Sequence, residues 1–390
     1  MKNKHFTFIG LIFLVVITSI TTLILSGFSN FLFTGSIYGF TNEEMEFISK
    51  LMASKKILSE NFYGEISDKM IYDGAMSGML EALDDPYTSY LDDEENQELL
   101  EIAEGEYEGI GVVISGNVEK GSDITVIGII KDSPAEKAEL KLLDKIVSVD
   151  GVMCKDLTLE EVSQKMKVQA GTELNLVIDR DGKNISKVVK TEAIVLKSVY
   201  SENMDGIGYI QIASFDEHTG EEFSTEYNKL REENIKGLIV DVRDNGGGIY
   251  DEVIKIAKIL VPEGLIVYTE DKDGKKVEER SYGKGIDIPL VLLVNEESAS
   301  ASEVLAGAVK DRDCGTLIGK KTFGKGVVQG WYMIGDGTSI KLTIAKYFTP
   351  SGVCIEGIGI EPDIEVENTS YTKDLQLDKA IEFLNDKIKD

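Results

Sequence analysis

Residues 288–329 read IPLVLLVNEESASASEVLAGAVKDRDCGTLIGKKTFGKGVVQ and hold the chain's clearest succession of strand, turn and helix. Leu290 to Val294 is an uninterrupted apolar run, the pattern of a strand covered on both faces. Beyond a short polar turn, Ala301, Val304, Leu305, Ala308 and Val309 recur at the spacing of one helix face. Ser298, Ser300 and Ser302 lie between the two, so at least one stands at a helix N-terminus, where free N–H groups favour negative charge. Further on, Lys325 lies between Gly324 and Gly326 in a loop leading into Val327 and Val328.

A serine at a helix N-terminus commonly serves as a cap. A nucleophilic serine needs a base, and the chain offers only 2 histidines. His5 belongs to the N-terminal apolar segment, and His218 lies in the polar run DEHTGEE with no apolar frame to hold an imidazole. Lysine is the remaining base. Its pKa must fall from about 10.4 to about 7, which costs roughly 4 to 5 kcal/mol and requires burial. The Gly-rich apolar loop of Lys325 suits that need, so Ser300 and Lys325 are the best candidate pair.

The 390 residues allow two or three domains, and 42% hydrophobic with 28% charged residues describes a globular chain. A formal net charge of −28 argues against a nucleic-acid partner. Lys2 and Lys4 precede Phe6 to Phe33, which holds no charged residue and whose apolar core, Phe8 to Leu25, is just long enough to cross a bilayer. The positive flank stays inside, placing the rest outside the cytoplasm on a single-pass anchor. Its length and the lack of an A-x-A site favour an anchor over a cleaved signal peptide. Cys154, Cys314 and Cys354 offer neither a metal site nor a disulfide framework. No cofactor or metal is expected.

The expected architecture is mixed α/β and β, with several domains. Residues 1–33 are the anchor or signal segment and 42–104 a helical region, in which Met70, Ala75, Met76, Met79 and Leu80 read as core packing. Asp84-Asp85-Pro86-Tyr87 breaks a helix there. Residues 105–192 turn to short strands, with a capped helix from Thr158 to Met166 and a hairpin across Asp181-Gly182. From Val199 onward β and α segments alternate. The strand Gly237 to Val242 ends in Arg243-Asp244-Asn245-Gly246-Gly247-Gly248, whose glycines make either a turn or a set of N–H groups aimed at an oxyanion. A dinucleotide fingerprint at Gly109 fails because Ile114 stands where its third Gly should be, and a calcium loop at Asp179 and a phosphate loop at Gly315 fail because their required residues fall at the wrong positions.

Taken together, the motifs resemble the C-terminal processing peptidases, the S41 family of serine proteases with an embedded PDZ domain. The resemblance rests on ALDDPYTSYLDDEE, YEGIGVVI, KDSPAEKAEL, DVRDNGGG, NEESASASEVLAGAVKD, TFGKGVVQ, YFTPSGVCIEGIGIEPD and DLQLDKAIEFL, in the family's order. It implies a PDZ domain at 105–192, a protease core at 199–367 and a helical tail at 368–390. Within that core it implies Ser300 as nucleophile, Lys325 as base and Gln329 as the group orienting the lysine. Ala301 with Gly247 or Gly248 would form the oxyanion hole, and Gly109, Ile110, Gly111 and Val112 would bind a substrate's C-terminal carboxylate. Substrates would be proteins with apolar C-terminal tails, and a homodimer through the helical termini is a further implication.

The chain departs from the family at several places. Glu139 and Leu143 stand where glycines are usual, Lys167-Val168 replaces Arg-Gly, and Asn245-Gly246 replaces Asn-Pro. Lys167 keeps the charge but not the bidentate fork that in some relatives couples tail binding to the active site. An inert PDZ adaptor is the rival reading, and intact Ser300, Lys325 and Gln329 favour the enzyme.

Overall fold

A computed structural model describes residues 40–116, 120–369 and 373–389. The apolar segment expected as an anchor lies outside them; among the described residues no helix is long and apolar enough to cross a membrane. The chain divides into two compact units, one ending at Met79 and one running from Leu80.

In the first unit, α1 (Asn42–Asn61) begins at a capping box. Thr41 Oγ1 accepts the Glu44 N–H at 3.2 Å, and Glu44 Oε2 accepts the Thr41 N–H at 2.6 Å. No residue of α1 is buried. The helix α2 (Asp68–Glu81) runs on into the second unit; its one buried residue is Leu80, whereas Met70 and Met79 of the first unit are 55% and 51% exposed. The expectation of a packed methionine core therefore fails for those two residues.

The second unit opens with β1 (Ser89–Leu91) and α3 (Asp93–Glu104), the latter ended by Gly105 in the left-handed conformation. A β-rich domain follows. It comprises β2 (Glu106–Gly109), β3 (Val112–Ser115), β4 (Ile124–Ile129), a short α4 (Pro134–Lys137), β5 (Lys145–Val149), β6 (Val152–Met153), α5 (Leu159–Met166), β7 (Glu173–Arg180), β8 (Lys183–Lys190) and β9 (Glu192–Val195). Its sheet runs β3-β4-β5-β7-β8 and packs Ile124, Val126, Ile146, Leu174 and Leu176 against Val162 and Met166 of α5. Thr158 caps α5 with Glu161 in a full capping box, as its spacing predicts.

The remainder holds two sheets. β10 (Val199–Met204), β11 (Ile207–Ile212), α6 (Thr219–Glu232), β12 (Gly237–Asp241) and α7 (Tyr250–Leu260) lead to a hairpin of β13 (Gly264–Asp271) and β14 (Lys276–Ser281). Then come β15 (Leu290–Val294), α8 (Ala301–Asp311), β16 (Thr316–Gly319), the hairpin β17 (Val327–Gly335) and β18 (Thr338–Phe348), β19 (Ile364–Glu365) and α9 (Leu375–Lys389). The main sheet has the order β10-β11-β12-β15-β16-β19, parallel from β11 onward.

Every residue of β12 and β15 is buried. Leu290, Leu292 and Val294 face a core shared with α6, α7 and α8, while Val291 and Leu293 face Ala380 and Leu384 of α9. That two-sided cover explains why the strand reads as an unbroken apolar run rather than an alternating one. Simple alternation of β and α from Val199 onward does not hold. Two hairpins leave the pattern and form an antiparallel sheet, β1-β18-β13-β14 with β17 on β18, to which the upstream strand β1 contributes.

Candidate active site

At the carboxyl end of β15 the chain turns sharply into α8, and the three serines of the turn take different positions. Ser298 is fully buried and its hydroxyl donates to the Val242 carbonyl at 2.7 Å. Ser302, also fully buried, donates to the Asn245 carbonyl at 2.9 Å. Ser300 occupies the N-cap position with φ +55° and ψ −112°, a conformation that L-residues rarely hold unless the surroundings impose it. Its side chain lines a cleft of about 390 Å³ together with Lys325, Gln329, Ala301, Gly247 and Gly248. The fold thus brings together the residues that the sequence singled out across three separate loops.

The glycine loop after β12 approaches Ser300 closely. A Cβ on Gly247 would lie 2.8 Å from Ser300 Cβ and 2.9 Å from the Ala299 carbonyl oxygen, and its φ of +105° also requires glycine. The buried Asn245 holds this loop in place: its amide donates to the Ile212 carbonyl at 2.8 Å and its oxygen accepts the Gly247 N–H at 2.9 Å. The Gly247 N–H is therefore already engaged.

Lys325 precedes β17. Burial pushes its amine below the usual lysine range and the nearby Lys341 adds to this, while Glu356, Glu303 and Asp85 act in the opposite sense. No hydrogen bond joins the Ser300 hydroxyl to the Lys325 amine in this state; both open onto the same cleft. Gln329 Nε2 lies 3.4 Å from Thr343 Oγ1. His218 sits ahead of α6 and does not line the cleft.

Two residues missed at the sequence level hold the parts in register. Glu303, with no solvent exposure, accepts the backbone N–H of Ser300, Gly324 and Lys325 and the hydroxyl of Thr322. The S-x-x-E spacing of a capping box was the available signal for it. Tyr347, 2% exposed, donates its hydroxyl to the Lys325 carbonyl at 2.6 Å and lies 3.1 Å from that of Ser300. Nothing local in the run KYF announces that contact. The far wall of the cleft is apolar, with Leu99, Ile102 and Ala103 of α3 and Trp331 of β17.

In the β-rich domain, Gly109 ends β2, Val112 begins β3, and Ile110 and Gly111 form the loop between them. The carbonyls of Ile110 and Gly111 accept the N–H groups of Ala135 and Ile130, so the N–H groups of Gly111 and Val112 point the other way. They face a small recess of about 80 Å³ beside Tyr107, Met166 and Lys167. Burial pushes the Tyr107 hydroxyl, which shares this recess, above the usual phenol range. Lys167 pairs with Glu101 of α3 at 3.3 Å. Among the described residues no group of His, Cys, Asp or Glu is arranged to hold a metal ion.

Comparison with known proteins agrees with this layout. The family model "Peptidase family S41" matches residues 206–366, "PDZ domain" matches 125–180, and "Activating protease CtpB N-terminal domain" matches 37–95. The carboxy-terminal processing protease CtpA of Bacillus subtilis (strain 168) is 35% identical over 96% of this chain and 79% of its own length. A probable CtpA-like serine protease of Staphylococcus aureus (strain COL) is 33% identical over 94% of this chain and 74% of its own. Among solved structures, the photosystem II D1 C-terminal processing protease superposes with a TM-score of 0.51 at 28% identity, covering 88% of this chain and 98% of that one. A putative S41 protease from Bacteroides fragilis shares the fold, with a TM-score of 0.54 at 14% identity over 83% of this chain and 92% of that one.

Proposed function

We propose what this enzyme does from one premise: the chain belongs to peptidase family S41, as a serine peptidase of the carboxy-terminal processing type. Ser300 is the nucleophile and Lys325 its general base. The observation that carries this reading is the division among the serines: Ser298 and Ser302 spend their hydroxyls on buried carbonyls, whereas Ser300 shares the cleft with the half-buried Lys325. Burial favours the neutral amine that a base requires.

In acylation the Ser300 proton moves to the Lys325 amine as the serine oxygen bonds to the scissile carbonyl carbon. The resulting oxyanion lies against the N–H groups of Ala301 and Gly248, since Gly247 has already given its own to Asn245. Gln329 orients the lysine. The ammonium then protonates the leaving amine, and water hydrolyses the acyl-enzyme by the reverse transfer.

Substrates are proteins with apolar C-terminal tails. The tail carboxylate binds the Gly109–Val112 loop, in the recess that Tyr107 and Lys167 also line. The apolar wall of Leu99, Ile102 and Trp331 suits apolar side chains near the scissile bond. The Phe6–Phe33 segment anchors the enzyme in the membrane with its catalytic part outside the cytoplasm. The exposed apolar residues Phe47, Leu51 and Leu58 of α1 support a homodimer.

The test is processing of a reporter protein bearing an apolar C-terminal tail, beside the same reporter with a charged tail. Ser300→Ala and Lys325→Ala are each expected to abolish cleavage, and the charged tail to slow it at least tenfold. Undiminished cleavage by Ser300→Ala would make the chain a PDZ adaptor copurifying with another peptidase. Equal rates on both tails would remove the tail-recognition step.

A further inference from the structure

The segment between α2 and β1, far upstream of the catalytic loops in sequence, reaches the base. Lys325 Nζ lies 5.0 Å from the centroid of the Tyr87 ring, inside the range of about 6 Å over which an ammonium is attracted to an aromatic face. The backbone that carries the ring is held firmly. Asp85 accepts the Tyr87 N–H at 3.1 Å and the Thr88 hydroxyl at 2.6 Å, and Thr88 Oγ1 accepts the Thr343 N–H at 3.1 Å. Immediately beyond, Ser89–Leu91 pairs in register with Ser339–Lys341 of β18. Thr343 is also the residue against which Gln329 rests.

We infer that Tyr87 is a positioning residue of the peptidase, whose ring face holds the Lys325 amine and stabilises the ammonium formed when Ser300 gives up its proton. The inference rests on the Ser300–Lys325 reading of the site. As that proton moves to Nζ, the serine oxygen bonds to the carbonyl carbon and the carbonyl π pair moves onto oxygen, so the lysine gains a positive charge while the oxyanion gains a negative one. The electron-rich ring face attracts an ammonium more strongly than a neutral amine. The contact therefore strengthens along the reaction coordinate, which is what accelerates a chemical step.

The charges around the amine leave room for such a group. Lys341 of β18 opposes the ammonium, as does burial, while Glu356 beyond β18, Glu303 of α8 and Asp85 favour it. Glu303 and Glu356 are bound to backbone N–H groups of the lysine loop, at Lys325 and Gly326 respectively. The Tyr87 ring, by contrast, presents its face to the amine itself.

The test varies the ring face without changing its shape. Full-length enzyme is prepared as Tyr87→Phe and with 4-fluoro- and 3,4,5-trifluorophenylalanine at position 87, and kcat/KM on a fluorogenic peptide with an apolar tail is followed against pH. Tyr87→Phe sets the reference. Successive fluorination is expected to lower the plateau several-fold and to move the acidic limb to lower pH, by about half a unit to one unit in all. Removing the ring's attraction makes the ammonium less stable, so the base stays neutral further into acid. A plateau that falls while the limb stays fixed, or a series with no trend, would overturn the inference and leave the dyad intact. Turnover retained by Lys325→Ala on the same peptide would overturn the dyad itself, and the role of Tyr87 with it.

Discussion

The carboxylate of Glu303 accepts the backbone N–H of Lys325 at 2.8 Å from a side chain with no exposure to solvent. It also takes the N–H of Ser300 at 2.9 Å, that of Gly324 at 2.7 Å and the hydroxyl of Thr322 at 2.6 Å. Burial pushes this carboxyl up, while four donors favour its ionised form. One side chain thus fixes the backbones of Ser300 and Lys325 relative to each other. Tyr347 repeats the tie from the carbonyl side.

Glu303→Gln keeps the shape but turns an amide NH₂ towards backbone N–H donors. At least one buried donor then goes unpaired, at a cost of about 2 to 4 kcal/mol. The thermal midpoint is expected to fall by several degrees and kcat by more than tenfold, with KM little changed. A variant matching the wild type in both midpoint and kcat would show that the tie is idle.

Much of this was legible in the sequence, for identifiable reasons. Leu290–Val294 and the capped helix Leu159–Met166 form as their patterns predict, because a strand covered on both faces reads as an unbroken apolar run and a capping box marks where a helix starts. The shared cleft of Ser300, Lys325 and Gln329 was reached through chemistry and family motifs, not through spacing. What stayed hidden depends on contacts between distant segments. β1 joins a sheet whose other strands begin at Gly264, and its neighbour Tyr87 meets Lys325; neither leaves a local mark. Met70 and Met79 of α2 do not pack as expected, because apolar helical spacing does not say whether a partner covers the stripe.

Leu143 offers a separate test, in the β-rich domain. The family pattern has glycine here, and Leu143 adopts φ +70° while 77% exposed. A left-handed conformation costs an L-residue about 1 to 2 kcal/mol, and no packing offsets it at an exposed position. The backbone has little freedom to relax: the Leu143 N–H donates to the Val126 carbonyl at 2.8 Å, and Asp144 is clamped by Arg180 at 2.6 Å. Leu143→Gly is expected to stabilise the domain by about 0.5 to 1 kcal/mol after the greater flexibility of unfolded glycine is counted. Leu143→Ala keeps the Cβ and should bring no gain. Chemical unfolding of both variants would decide it, and equal midpoints would mean that the turn is unstrained.

The final prediction concerns the C-terminal helix. Arg243, at the end of β12, donates to Asp241 at 2.6 Å and to Asp374 at 2.8 Å, the latter one residue ahead of α9. Asp241 is 3% exposed at its side chain and also accepts the Tyr209 hydroxyl at 2.8 Å. Burial works against the charge on Asp374, but Arg243 and the Leu377 N–H hold its carboxyl down at about 2. A carboxyl lower in the folded state than in the unfolded one binds fewer protons when folded. Its stabilisation is therefore complete above the ordinary value of 3.8 and fades as pH falls towards about 2. Asp374 is 36% exposed at its side chain, and solvent screening limits the pair to about 1 kcal/mol. Asp374→Asn should cost about that much at neutral pH and flatten the loss of thermal stability between pH 4 and 2. Arg243→Met should cost about 3 to 5 kcal/mol, because Asp241 is then buried without its cation. Thermal midpoints of the two variants and the wild type across that pH range check both statements. An Asp374→Asn profile parallel to the wild type would mean that the acid sensitivity of the fold arises elsewhere.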